Sequence, residues 1–362
     1  MPPRIFPAMG FLIIGLCVPP LAEACTVFAG IQGGRVLFGN NEDWLDCNAR
    51  VQFLPAENGK HGVVYVGFRI GGPQGGMNDQ GLCFDFAEVP TQELPPPNGK
   101  PVFVGNLLHK ILRECGTVAE ALAVHEQHHW PLLARCQALL CDRTGAAVIL
   151  SARPPIHREG VSLIIPNPRL DPMGLGEGTP AFERFRLADE RLELPEAGSP
   201  DGVAKILAAV HQETLPTQYS CVYDPAAREM LLYHFHDFTA ARSFKLEEEL
   251  TKGERTFAMN ELFPKSIAST VYAERHAALL AAQTDERARA ASVKVAEMLM
   301  TLSDRDGDSK LREEELYEFV CFDPRDRSEL LERFDSDGDR HMTLSELAEA
   351  LRAWLPVSKL VE

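Results

Sequence analysis

The run Cys25-Thr26-Val27-Phe28-Ala29-Gly30-Ile31-Gln32-Gly33-Gly34-Arg35-Val36-Leu37-Phe38 decides how the chain is read. Two β-rich stretches, 26–31 and 35–38, flank Gln32-Gly33-Gly34, and paired glycines suit a tight hairpin turn. Residues 1–24 have the layout of a secretory signal. Arg4 supplies the positive end, 10–18 the apolar stretch, and Pro19-Pro20 breaks it ahead of Ala22-Glu23-Ala24. That small-x-small triplet places the cut directly before Cys25, so the hairpin opens with the first residue of the processed chain. The apolar stretch is too short to span a bilayer comfortably, and no later run is long enough either. The expectation is an exported protein, periplasmic or extracellular, with no transmembrane segment.

Outward from the hairpin, strands are expected at 63–68, 82–89, 137–141, 146–150, 161–165, 219–223 and 230–238. Helices are expected at 102–114, 118–128, 182–192 and 202–211. Thr117 with Glu120 forms a capping box for the second helix, and Pro131 stops it. The segment 92–100, with Pro95-Pro96-Pro97, reads as a rigid loop. A boundary is expected near 252–265. This divides the chain into a signal peptide (1–24), a mixed α+β unit (25–260), a helical linker (261–290) and a small all-α unit (291–355).

With 362 residues, 45% of them hydrophobic, there is enough apolar material for one large core and a satellite. The formal charge of −16 argues against nucleic acid or an anionic membrane as partner and favours cations. Acidic residues concentrate after residue 300. Nine cysteines are present, and loss of Cys17 with the signal leaves eight in a compartment where disulfides persist. Cys136 and Cys141 fall on opposite faces of one expected strand, which argues against a bond between them. Oligomeric state is not legible.

The acidic end contains two copies of one loop. Asp304, Asp306, Asp308 and Glu315 fall at positions 1, 3, 5 and 12 of a calcium loop, with the carbonyl of Lys310 at position 7. Asp335, Asp337, Asp339, the carbonyl of His341 and Glu346 repeat the arrangement. Calcium needs six to eight oxygens, and a bidentate glutamate completes the shell that three aspartates begin. Leu311 and Met342 take the apolar position through which paired EF-hand loops lean on each other. Position 6, normally glycine, is Ser309 in one loop and Arg340 in the other, which predicts backbone strain and weak binding. Calcium as a structural clamp is the expected role, with no organic cofactor.

A cysteine that becomes residue one owns an α-amine whose reference pKa is about 7.7 to 8.0, so it can accept the thiol proton near neutrality. Three further motifs sit in order: Cys25-Thr26-Val27-Phe28, Gly39-Asn40-Asn41-Glu42-Asp43-Trp44 and Gly76-Met77-Asn78-Asp79-Gln80-Gly81-Leu82. With 140–145 and Pro166-Asn167-Pro168, the chain from Cys25 to about Asp237 resembles the superfamily of choloylglycine hydrolases, penicillin V acylases, acid ceramidase and isopenicillin-N acyltransferase-like enzymes. The resemblance implies a four-layer αββα fold and an N-terminal-nucleophile hydrolase of linear amides acting on a small N-acyl amide. It assigns Cys25 as nucleophile and base, Asp43 as the group that holds the amine and thiol, and Asn78 with Asn167 as the oxyanion hole. Asn40 stands where the bile-salt and penicillin branch has arginine, which leaves the substrate open.

Two other readings stand beside this one. Acyl transfer follows if an amine, not water, reaches the acyl-enzyme. A non-enzymatic calcium-binding lipoprotein, acylated at Cys25, fits the residues before the cut poorly. His125-Glu126-Gln127-His128-His129 formally matches a zinc-protease helix, but Pro131 ends that helix and no third ligand follows at motif spacing. His234 and His236 are expected on one strand face. Gly71-Gly72-Pro73-Gln74-Gly75-Gly76 reads as a flexible turn.

Overall fold

The computed structural model describes residues 25–89, 91–165, 179–213 and 215–357; the expected signal segment and Asn167 lie outside these. Strand β1 (Thr26–Gln32) and strand β2 (Arg35–Asp43) form the expected hairpin. Gly33 and Gly34 both take positive φ, +58° and +79°, as its two-residue turn requires. The hairpin continues outward to β10 (Ser162–Ile165) on one side. On the other lie β11 (Thr217–Asp224), β12 (Glu229–His234) and β13 (Asp237–Lys245), completing a six-stranded sheet ordered β10-β1-β2-β11-β12-β13.

A second sheet has eight strands, ordered β14-β3-β4-β5-β6-β7-β8-β9. Its members are β3 (Ala49–Leu54), β4 (Val63–Phe68), β5 (Gly72–Asn78), β6 (Cys83–Glu88), β7 (Cys136–Cys141), β8 (Ala147–Leu150), β9 (Ile156–His157) and β14 (Arg255–Ala258). Neighbouring strands in both sheets run antiparallel.

The period-two pattern sends alternate side chains to opposite faces. Val27, Ala29, Val36 and Phe38 of the first sheet meet Val64, Val66, Met77, Cys83, Leu139 and Cys141 of the second in a shared core. The other face of the first sheet buries Phe28, Leu37 and Val222 against α3 (Pro180–Leu192) and α4 (Pro200–Val210). The other face of the second sheet packs on α1 (Leu107–Glu114) and α2 (Val118–Glu126) through Tyr65, Phe84, Leu108 and Leu112. The stacking is therefore helix, sheet, sheet, helix.

The C-terminal helices join that last layer. After α5 (Leu246–Leu250), α6 (Met259–Leu262), α7 (Ile267–Ala281) and α8 (Glu286–Ser303) come α9 (Glu313–Phe319), α10 (Pro324–Phe334) and α11 (Leu344–Trp354). Leu299, Leu316, Phe319, Val320, Leu330, Leu347 and Leu351 belong to the same apolar cluster as Tyr65 and Leu112. Polar contacts add to this seam. Arg50 and Arg69 both reach Asp326, at 2.9 and 3.2 Å, and the Arg69 guanidinium lies 3.5 Å over the Trp354 ring. The Tyr317 hydroxyl donates to Gln52 at 3.0 Å.

Several expectations are corrected. The glycine-rich stretch 71–76 is mostly a strand, β5, in the interior of the eight-stranded sheet. Its glycines answer to crowding: a Cβ on Gly72 would stand 2.1 Å from the Glu318 carbonyl oxygen, and one on Gly76 2.3 Å from that of Val64. Residues 230–238 are a hairpin, because Phe235 and His236 take positive φ between β12 and β13. His234 and His236 therefore do not share a strand face; His234 stacks on Phe263 and His236 on His211. The first helix starts at Leu107 behind an Asn106 cap, and the second stops at Glu126, so His129 is beyond its end. The Thr117–Glu120 capping box forms as expected.

Candidate active site

Cys25 leads directly into β1, an interior strand of the six-stranded sheet, so its side chain enters the space between the two sheets. Thr26 pairs with Asn41, which sets Cys25 beside Glu42 and Asp43 at the end of β2. The thiol donates to Glu42 Oε1 at 3.4 Å and accepts from the Asp43 backbone N–H at 3.5 Å. Burial pushes the Cys25 thiol well up from its ordinary range, and the Glu42 and Asp43 carboxylates add to this. Burial likewise raises Glu42. The sulfur is thus set among acids.

The Asp43 carboxylate is fixed from the far side. Gln212 Nε2 donates to one oxygen and Thr217 Oγ1 to the other, each at 2.5 Å. Gln212 follows the end of α4, and Thr217 opens β11, so two further elements position this residue. Near the thiol the Asn40 amide and the Tyr219 hydroxyl, which lies across from Glu42, are buried without a hydrogen-bond partner. Asp85 lies on β6 between inward Cys83 and Ala87, and burial followed by Glu42 raises its carboxyl well above the usual range. Unpaired polar groups lining a buried space are suited to receive a polar ligand.

Asn78 does not join this group, which corrects the oxyanion assignment. Met77 faces the inter-sheet core, so Asn78 faces the helices behind the second sheet. Its amide nitrogen donates to the carbonyls of Leu112 and Cys115 at 2.8 and 2.7 Å, and its oxygen accepts from Gln80 and Leu82. Both ends are consumed in tying the β5–β6 turn to α1. Glu42, Asp85, Gln212 and Thr217 were not singled out from the sequence. The available signal was a carboxylate at an inward position of an apolar strand, Phe84-Asp85-Phe86.

The two acidic loops adopt one geometry. In the first, Asp304 accepts from the N–H groups of Gly307 and Ser309, while Glu315 accepts from those of Arg305 and Arg312. In the second, Asp335 accepts from Gly338 and Arg340, and Glu346 from Ser336 and Thr343. Carboxylate oxygens of Asp304, Asp306 and Glu315 lie within 4.8 Å of one another, as do those of Asp335, Asp337 and Glu346. Short strands β15 (Lys310–Leu311) and β16 (Met342–Thr343) pair the loops, with Leu311 opposite Met342 and both fully buried. Ser309 and Arg340 are held at φ +66° and +63°, the conformation glycine takes without cost. Side chains of the same module contact these acids: Arg312 pairs with Asp306 and Asp308, and Lys310 with Asp339.

All eight cysteines from Cys25 to Cys321 are free thiols among the described residues, and no described helix is long and apolar enough to cross a membrane. No family model matches the chain, and no curated protein matches it. Solved structures do. A mutant conjugated bile acid hydrolase from Clostridium perfringens superposes with a TM-score of 0.50 at 16% identity, over 67% of this chain and 99% of that one. Penicillin V acylase from Agrobacterium tumefaciens gives 0.43 at 16%, over 58% and 83%. The former similarity is one of fold: two antiparallel sheets between helical layers, with the shared part ending before the whole of this chain is used.

Proposed function

We propose that the chain is an exported hydrolase of linear amides that uses Cys25 as an N-terminal nucleophile, and that its paired acidic loops bind calcium. One observation carries the reading: the residue that signal cleavage would expose begins an interior strand and sets its thiol between two sheets, against Glu42 and Asp43. The likeness to the bile acid hydrolase fold supports it.

Cleavage before Cys25 converts a peptide nitrogen into an amine on the same residue as the thiol. The amine takes the thiol proton, and the sulfur attacks the amide carbonyl to give a tetrahedral oxyanion. Collapse breaks the C–N bond, the leaving amine takes the proton back, and a thioester remains. Water, deprotonated by the same α-amine, then releases the acid. Glu42 and Asp43 favour the ammonium form at each proton transfer. Asn167 is retained as the proposed oxyanion donor, whereas Asn78 is not. Paired loops with convergent carboxylates suit an oxygen-loving dication, with Asp304, Asp306, Asp308, Glu315 and the Lys310 carbonyl in one loop. Asp335, Asp337, Asp339, Glu346 and the His341 carbonyl serve the other. Calcium there would neutralise the clustered charge and displace Arg312 and Lys310 from it.

The test is direct. Mass spectrometry of the secreted protein is expected to show an unblocked Cys25 as first residue. That protein is expected to cleave members of an N-acyl amide panel, and Cys25→Ser to lose on the order of 10³-fold or more in rate. A different start, an acylated amine, or a fully active Cys25→Ser variant defeats the proposal.

A further inference from the structure

A second cluster of ligating side chains lies outside both sites. Asp46 and Cys47 sit in the loop between β2 and β3, and His276 comes from the middle of α7. One ligand atom from each lies within 4.8 Å of the others. Nε2 of His276 is 3.6 Å from Asp46 Oδ1, and tetrahedral coordination of zinc places neighbouring ligand atoms roughly 3.3 to 3.6 Å apart.

The cluster is built, not incidental. Asp46 is fully buried and its Oδ1 accepts from the Asn48 backbone and side-chain nitrogens at 2.9 and 2.7 Å, which fixes the carboxylate. Its other oxygen, Oδ2, is buried with no hydrogen bond. His276 is 4% exposed, and its Nε2 also has no hydrogen bond. One turn earlier, the Tyr272 hydroxyl donates to the Leu45 carbonyl at 2.8 Å and pins the same helix face to the same loop. A buried carboxylate oxygen and a buried imidazole nitrogen left without hydrogen bonds, in a cluster with a half-buried thiol, ask for an occupant. Cys47 keeps partial exposure, so an ion has a way in.

We infer that Asp46, Cys47 and His276 bind a borderline-soft divalent cation of the zinc class, with solvent in the fourth position. The donor set of one sulfur, one imidazole nitrogen and one carboxylate oxygen suits zinc and not calcium. On binding, the Cys47 S–H proton passes to solvent as the metal–sulfur bond forms, so two anionic ligands balance the dication. The ion would staple α7 to the loop three residues past Asp43. This site is independent of the hydrolase reading.

The experiment uses the full secreted protein, dialysed against trace zinc and then metal-free buffer. Elemental analysis is expected to find about one zinc per chain. Cys47→Ala and His276→Ala are each expected to lower retention at least tenfold. Cys25→Ser and the pair Asp304→Asn with Asp335→Asn are expected to retain it. Cobalt substituted into the wild-type chain, whose folding needs no variant, is expected to show a thiolate-to-cobalt charge-transfer band that Cys47→Ala abolishes. A folded wild-type protein that holds no stoichiometric zinc and shows no such band overturns the site. So does retention undiminished in both ligand variants, which would leave only a histidine–aspartate ion pair.

Discussion

Around Cys25 the decisive residue is Glu42, whose carboxyl receives the thiol at 3.4 Å and whose charge opposes the thiolate. Removing that charge without changing shape should ease ionisation. For Glu42→Gln, alkylation of Cys25 by iodoacetamide, followed on its own peptide by mass spectrometry, is expected to shift its pH profile toward lower pH. The sign follows from the cause: a thiol raised by a neighbouring carboxylate falls when the carboxylate goes. An unchanged or upward-shifted profile would show that Glu42 does not act on the sulfur electrostatically. At this scale hairpin register, which runs Thr26 to Asn41 and Val27 to Asn40, sets Cys25 across from Glu42, one residue before the Asp43 that the sequence singled out. The sequence was not legible for Asn78, where the parity of β5 decides. Met77 faces inward, so its neighbour cannot, and that parity is hidden in a stretch of glycines that carries no alternation.

Among elements, β5 and α9 show how glycine permits an approach that any side chain would block. Gly72 has φ +71°, and its α-carbon faces the Glu318 carbonyl so closely that a methyl group would stand 2.1 Å from the oxygen. Gly72→Ala is therefore expected to lower stability by about 1–3 kcal/mol through displaced packing, beyond the conformational cost. The comparison is Gly253→Ala, at φ +83° with nothing within 4 Å, where only the backbone term of about 1 kcal/mol applies. Equal losses of denaturant stability in the two variants would mean that α9 does not rest on β5. This crowding also explains why 71–76 reads locally as a turn: glycine content signals flexibility unless the partner backbone is known. The hairpin at 33–34 was legible because there the glycines serve φ alone.

Across the whole molecule, the helices that follow residue 290 complete the layer begun by α1 and α2, and one apolar cluster runs through both. Calcium binding at the loops should then stabilise the entire chain and not a detached module. With calcium at 100 times the dissociation constant, each site contributes about 2.7 kcal/mol, so chelation is expected to lower the midpoint of a single thermal transition. Asp304→Asn with Asp335→Asn should remove that response. A transition insensitive to calcium, or two separable transitions, would contradict the calcium proposal or the shared core respectively. The two acidic loops were legible as a repeat from spacing alone, since their carboxylates lie within twelve consecutive residues. Their seat on the sheet was not, because Arg50, Arg69 and Gln52 meet Asp326, Trp354 and Tyr317 only through long-range topology.

That seat bears on how the chain can be shortened. A fragment ending near residue 260 would keep the sulfur and every group around it, yet it would strip Phe319, Val320 and their neighbours from the apolar cluster that holds Tyr65, Leu112 and Ile70, and open that cluster to water. An uncovered greasy wall of this kind attracts chaperones and other copies of itself. The tail therefore works as a roof for the sheet, and trimming it removes solubility before it touches chemistry.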